Sequence, residues 1–212
     1  MKKTLSLLTM AAVMLSVILS FASCAKLDTT GLFEAAPDLI EASAKMNEIY
    51  YGAGIPYDEN DIGATGYYYP ANKDYLKEMG FFTVAELKNM TAGIFSAAYC
   101  DILFQSAFEG FAAEGSGYVY ARYSSNQAEN LRDEDETILV YSRHTGTTIG
   151  QSTYDFSTLS LGEVGKDYAT VTLSVKTVYA PSEAMPDGLT TTDVMEIRFV
   201  NENGWRIDSP TY

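Results

Sequence analysis

Tyr168-Ala169-Thr170-Val171-Thr172-Leu173-Ser174-Val175-Lys176-Thr177-Val178-Tyr179 sets Val171, Leu173 and Val175 against Thr170, Thr172, Ser174 and Lys176. Successive side chains of a strand point to opposite faces, so this alternation predicts one buried and one wet face. The same period of two recurs on both sides of it. Residues 118–123, 137–143, 152–161 and 191–200 read as further strands, separated by Gly, Asn, Pro or Asp clusters. Asn203-Gly204 then predicts a tight hairpin turn into Trp205-Arg206-Ile207-Asp208.

Upstream the period changes to that of helices. From Glu34 the chain turns helical, with Pro37 placed in the first turn. Leu39, Ile40, Met46, Ile49 and Tyr50 then form one face until Gly52-Ala53-Gly54 breaks the run. Ile55 to Gly66 is turn-rich, and Pro70 biases the preceding Tyr67-Tyr68-Tyr69 toward extended backbone. A short helix over 73–79 stops at Gly80. Thr83-Val84-Ala85-Glu86 reads as a capping box flanked by the apolar staple Phe82 and Leu87, so a helix starts at Val84. Gly93 is expected to divide it. Ser96 is expected to cap another helix carrying Tyr99, Ile102, Leu103, Ala107 and Phe108, apolar enough to lie buried under the sheet. Helices first and strands afterwards, with no βαβ alternation, give an α+β class. The expectation is N-terminal helices packed on a C-terminal twisted antiparallel sheet of five to six strands, in a single domain over residues 34–212.

The first 23 residues carry a different message. Lys2 and Lys3 precede an apolar run over 5–21 and the small pair Ala22-Ser23, the three parts of an export signal. At about 17 residues the run is at the lower limit for spanning a bilayer core. Phe21-Ala22-Ser23-Cys24 resembles the lipobox of bacterial lipoproteins, which implies diacylglycerol on the Cys24 thiol and cleavage before it. Residues 1–23 are then a signal peptide and 24–33 a lipidated tether. Two or more acyl chains suffice for stable anchoring. The protein is accordingly expected on the outer face of the cell membrane, held there by the lipid on Cys24, where no ATP-dependent chemistry operates.

Removing Lys2 and Lys3 leaves 12 basic residues against 28 acidic ones, a net charge of −16. Nucleic acid and anionic lipid surfaces are held by clustered Lys and Arg, so neither is an expected partner. With Cys24 consumed by lipid, Cys100 has no partner for an intramolecular disulfide. An exported chain without disulfides, and with Ala25 after the lipid site, points to a Gram-positive setting.

No catalytic constellation emerges. His144 is the only histidine, so no zinc site of the usual kind is expected. Cys100 sits in Ala97-Ala98-Tyr99-Cys100-Asp101-Ile102-Leu103, a core-type helix beside an acid, whereas a reactive thiolate needs exposure and positive surroundings. The reading is a buried cysteine and a surface histidine. Asp58-Glu59-Asn60-Asp61-Ile62-Gly63 fails as a calcium loop, because Tyr69 occupies the position that requires a bidentate Glu. No Walker or GxGxxG motif is present. A non-enzymatic monomer without cofactor or metal is the expectation.

Tyrosine is the unusual component, at 16 residues. It joins a large apolar face to a polar tip and suits both half-buried sheets and binding surfaces. Three consecutive tyrosines in an extended segment cannot all face one core, so Tyr67, Tyr68 and Tyr69 are candidate binding residues. The run Asp133, Glu134, Asp135 and Glu136 is the second candidate, a solvated acidic turn.

The order of these features is similar to a known one. Glu48-Ile49-Tyr50-Tyr51, the acidic loop, Tyr67-Tyr68-Tyr69, Phe82-Thr83-Val84-Ala85-Glu86-Leu87-Lys88, Ile94-Phe95-Ser96 and Tyr118-Val119-Tyr120-Ala121-Arg122 precede a C-terminal sheet. This resembles the secreted DL-endopeptidase inhibitor family of Gram-positive bacteria over most of residues 38–208. The resemblance implies a protein without catalytic residues that occludes the cleft of a cell-wall hydrolase. Gly204-Trp205-Arg206-Ile207-Asp208 also looks like the last strand of nuclear-transport-factor-like domains, which would imply a small-ligand pocket enclosed by the sheet.

Overall fold

The computed structural model describes residues 26–57, 59, 67–113, 117–125, 137–144, 149–181 and 186–212. The fold is mixed α+β. Helix α1 (Leu32–Tyr50) is followed by β1 (Tyr68–Pro70), α2 (Lys73–Met79), α3 (Val84–Ile94) and α4 (Ala97–Phe108). The strands β2 (Phe111–Ala113), β3 (Gly117–Val119), β4 (Tyr123–Ser125), β5 (Ile138–Tyr141), β6 (Gln151–Val164), β7 (Ala169–Tyr179), β8 (Leu189–Asn201) and β9 (Trp205–Ile207) complete the described elements.

The strands do not form the expected single sheet. β6-β7-β8-β9 is an antiparallel meander of four strands, β1-β5-β4 is a separate three-stranded sheet, and β2-β3 is a two-stranded ribbon. The division begins inside 118–123, which is not one strand. Arg122 turns inward there and donates to the carbonyls of Tyr50 at 2.8 Å and Gly52. The chain before it pairs with β2, and the chain after it pairs with β5. Strand β5 takes β1, from between α1 and α2, as its other neighbour.

The meander follows the alternation of β7. Val171, Leu173 and Val175 are each at most 2 % exposed, and they join Ile197, Phe199 and Ile207 in one cluster with Leu32, Ile40, Met46 and Ile49 of α1. Phe199 pairs with Ala169 on one side and Ile207 on the other, so the core face runs unbroken across three strands. Asn203 and Gly204 both have positive φ, 59° and 132°, at the expected turn.

Helix α1 starts at Leu32, after Gly31 at φ 75°, and not at Glu34. Pro37 therefore lies in the second turn, where its missing N–H leaves the Phe33 carbonyl without a helical partner. The helix also buries Ser43 and Asn47. The Thr211 hydroxyl lies 2.7 Å from Ser43 Oγ and accepts from Asn47 Nδ2 at 2.8 Å, fastening the C-terminal segment to α1. Residues read as the tether also touch the domain: Leu27 N–H donates to the Gly165 carbonyl and Trp205 Nε1 to that of Thr30.

The capping box forms as expected. Thr83 Oγ1 accepts from the Glu86 amide at 3.1 Å, and the Glu86 carboxylate accepts from the Thr83 and Phe82 amides. Gly93 does not divide α3, which runs to Ile94 and is stopped by the extended Phe95. Ser96 caps α4 by accepting from the Tyr99 amide. Helix α4 is less buried than expected: Tyr99, Cys100, Leu103 and Ala107 face inward, but Ile102 is 58 % exposed. Among the described residues no helix is long and apolar enough to cross a membrane.

Candidate functional site

The three-stranded sheet gathers tyrosines that are far apart in the chain. Register places Tyr68 directly opposite Tyr141, and Tyr69 opposite Val140. Pro70 is tolerated because β1 is an edge strand, where a missing ladder donor is harmless. Side chains at opposed positions of an antiparallel pair share a face. The Tyr68 and Tyr141 rings accordingly meet at 5.3 Å. Tyr120 stacks on Tyr141 at 5.2 Å and 28°, and Tyr67 approaches it edge-on at 6.3 Å. The Arg143 guanidinium lies 3.6 Å over the Tyr67 ring.

Backbone bonds hold this group in place. Ser142 N–H donates to the Tyr67 carbonyl, Tyr141 N–H to that of Arg122, and the Tyr68 hydroxyl to that of Ala121 at 2.6 Å. Behind the face, Tyr57 stacks on Tyr69 at 5.4 Å and donates to the Ser142 carbonyl. Tyr67 and Tyr120 are 45 % and 47 % exposed, and Tyr68 and Tyr141 are half-buried beneath them. The result is an aromatic platform with one cation at its margin.

The structure thus sorts the three candidate tyrosines. Tyr67 is at the surface of the platform, Tyr68 props it, and Tyr69 turns to the opposite side and stacks on Tyr57. Tyr120, Tyr141 and Arg143 are the members that sequence reasoning missed. Only the Tyr68–Tyr141 register brings them together, and no spacing within 118–123 or 137–143 announces it. Cys24 and Asp133, Glu134, Asp135 and Glu136 lie outside the described residues, as do Asp58 and Asp61.

Cys100 is buried, and its thiol is pushed up to about 11, first by burial and then by the Asp101 carboxylate. It is a core thiol. His144 is exposed and is held below the ordinary histidine value, first by desolvation of its ring and then by the Arg122 charge. Among the described residues no group of three or more His, Cys, Asp or Glu side chains is arranged to hold a metal ion. No family model matches the chain, and neither a curated protein nor a solved structure matches it.

Proposed function

We propose that this protein is a lipid-anchored binding module on the outer face of the cell membrane that restrains a cell-wall DL-endopeptidase by contact, without catalysis of its own. The observation that carries the reading is the platform of Tyr67, Tyr68, Tyr120 and Tyr141 with Arg143 at its edge. Tyrosine and arginine dominate the energetics of protein interfaces, because they offer large contact area with polar tips. A pre-packed platform also loses little side-chain freedom on binding. The resemblance to the endopeptidase inhibitors and the acidic surface support the same partner class.

The test uses the mature chain carrying Cys24→Ser, titrated into a peptidoglycan endopeptidase assay. Hydrolysis is expected to fall with a saturable dose. Tyr67→Ala and Tyr120→Ala, both at exposed positions, are expected to weaken inhibition by about 10- to 100-fold each, the effect of losing an interface hot spot of about 1.4–2.8 kcal/mol. Undiminished hydrolysis and no complex across several such enzymes would sink the reading.

Anchoring has its own readout. The wild-type precursor expressed in a bacterial host is expected to lose residues 1–23 and enter the detergent phase of a partition, whereas Cys24→Ala keeps its leader. A wild-type protein that stays aqueous removes the lipid anchor from the proposal.

A small-ligand pocket of the nuclear-transport-factor type has less support. It needs an open apolar cavity on the sheet, and Val171, Leu173, Val175, Ile197 and Phe199 are packed in one cluster with the side chains of α1.

A further inference from the structure

Helices α1, α2 and α3 leave between them a groove of about 360 Å³, whose lining shares no residue with the tyrosine platform. Met46, Met79, Met90 and Ile94 line it, together with Asp38, Glu41 and Glu78 against one base, Lys45. Of the chain's eight methionines three precede Cys24, and three of the remaining five meet here. Met46 is 2 % exposed at the bottom, with its sulfur 3.7 Å from the Thr91 hydroxyl oxygen. Met79 and Met90 stand half-buried at the sides. Asp38, Glu41 and Lys45 are spaced three and four apart on α1 and so share one exposed face, with Glu78 supplied by α2.

Each part of that lining selects a property of the occupant. Unbranched thioether side chains reshape to fit bulky apolar groups, which is why methionine recurs on surfaces that accept helices. The walls are helices whose backbone groups are already bonded internally, so an extended strand finds no ladder to join, whereas an amphipathic helix needs only side-chain contacts. Three carboxylates against one ammonium favour a cationic rim on the incoming segment. We propose that this groove docks a cationic amphipathic helix of a protein partner, with its apolar residues in the methionine floor and its Lys or Arg residues on Asp38, Glu41 and Glu78. The groove is a second contact surface, independent of the tyrosine platform.

The probe is a fluorescein-labelled Leu/Lys amphipathic peptide of about 18 residues, roughly five helical turns. It is titrated with the mature chain carrying Cys24→Ser at physiological salt and followed by anisotropy. Saturable binding is expected. Glu41→Lys, Glu78→Lys and Met90→Lys should each weaken it about tenfold or more, with circular dichroism unchanged, while Met90→Leu retains it. Glu196→Lys, on the exposed face of β8, makes the same change in net charge and should alter binding less than about twofold. Equal weakening by Glu196→Lys and Glu41→Lys, equal binding of a Leu/Glu peptide of the same pattern, or no saturable binding by the wild type overturns the proposal. Tyr67→Ala should leave the peptide affinity unchanged, so failure at the groove is separable from failure at the platform.

Discussion

Alkali is expected to unfold this domain between about pH 10 and 12, with the far-ultraviolet dichroism and the ionisation of buried tyrosines changing together. Tyr123 is fully buried, and its phenol is pushed up from the ordinary value to about 12, chiefly by burial, while the Arg122 charge pulls the other way. Tyr50 and Tyr99 are raised further still, in both cases first by burial. The Cys100 thiol is raised to about 11. All four are neutral when protonated, and each holds its proton in the folded chain at a pH where the unfolded chain has released it. The folded state then binds more protons than the unfolded one, so stability falls as pH rises. For Tyr123 alone the loss is about 1.4 kcal/mol per pH unit from about 10 to 12. Tyr50 and Tyr99 start to lose stability at the same ordinary phenol value, and Cys100 starts about one unit lower. Against a typical total of about 5–15 kcal/mol, the four groups together remove a large share of the stability by about pH 12. Absorbance at the tyrosinate band should therefore include a cooperative rise coincident with loss of helix. Full ionisation of every tyrosine with the dichroism unchanged would overturn the burial of Tyr50, Tyr99 and Tyr123.

The cluster behind that prediction was only partly legible in the chain. Alternation disclosed β7, the Thr83–Glu86 box disclosed the start of α3, and Asn203-Gly204 disclosed the last hairpin, because each is a local pattern with a local cause. The three-residue strands β1 and β2 are too short to display a period. Ser43 and Asn47 look like the wet side of α1, yet they are buried against Thr211, 168 and 164 residues away, and no local rule anticipates such a partner. The platform was half visible for the same reason. Tyr67 to Tyr69 stand out as neighbours in the chain, whereas Tyr120 and Tyr141 become their neighbours only through strand register. Arg122 reads as an ordinary strand residue between Ala121 and Tyr123, and that misreading matters most, because it hides the post between α1 and the platform.

Replacing Arg122 with methionine is expected to cost about 2–6 kcal/mol, since each of two buried carbonyls left without its donor costs about 1–3 kcal/mol. Arg122 is 3 % exposed, and its fork donates to the carbonyls of Tyr50 and Gly52 at the C-terminal end of α1. The Tyr50 oxygen belongs to the negative end of the helix dipole, where a cation is favoured and where no intrahelical donor remains, and Gly52 follows just past the C-cap Tyr51. The approach is close: a side chain on Gly54, which holds φ +85°, would begin 2.3 Å from Arg122 Nη2 and 2.8 Å from the Tyr123 hydroxyl. Methionine keeps much of the volume and leaves two carbonyls without their donors. Lysine should restore only part of the loss, since one ammonium on a flexible stem does not reproduce a planar fork reaching two acceptors. The effect should also travel outward. The Arg122 carbonyl accepts from Tyr141 N–H and the neighbouring Ala121 carbonyl accepts from Tyr68, so the platform stands on the backbone that the guanidinium anchors. Urea unfolding of Arg122→Met and Arg122→Lys measures the first claim. Near-ultraviolet dichroism of the tyrosines, taken where both variants remain folded, measures the second. A methionine variant within about 1 kcal/mol of wild type would place the guanidinium in water and remove the post from beneath the platform, since surface substitutions sit within about ±0.5 kcal/mol.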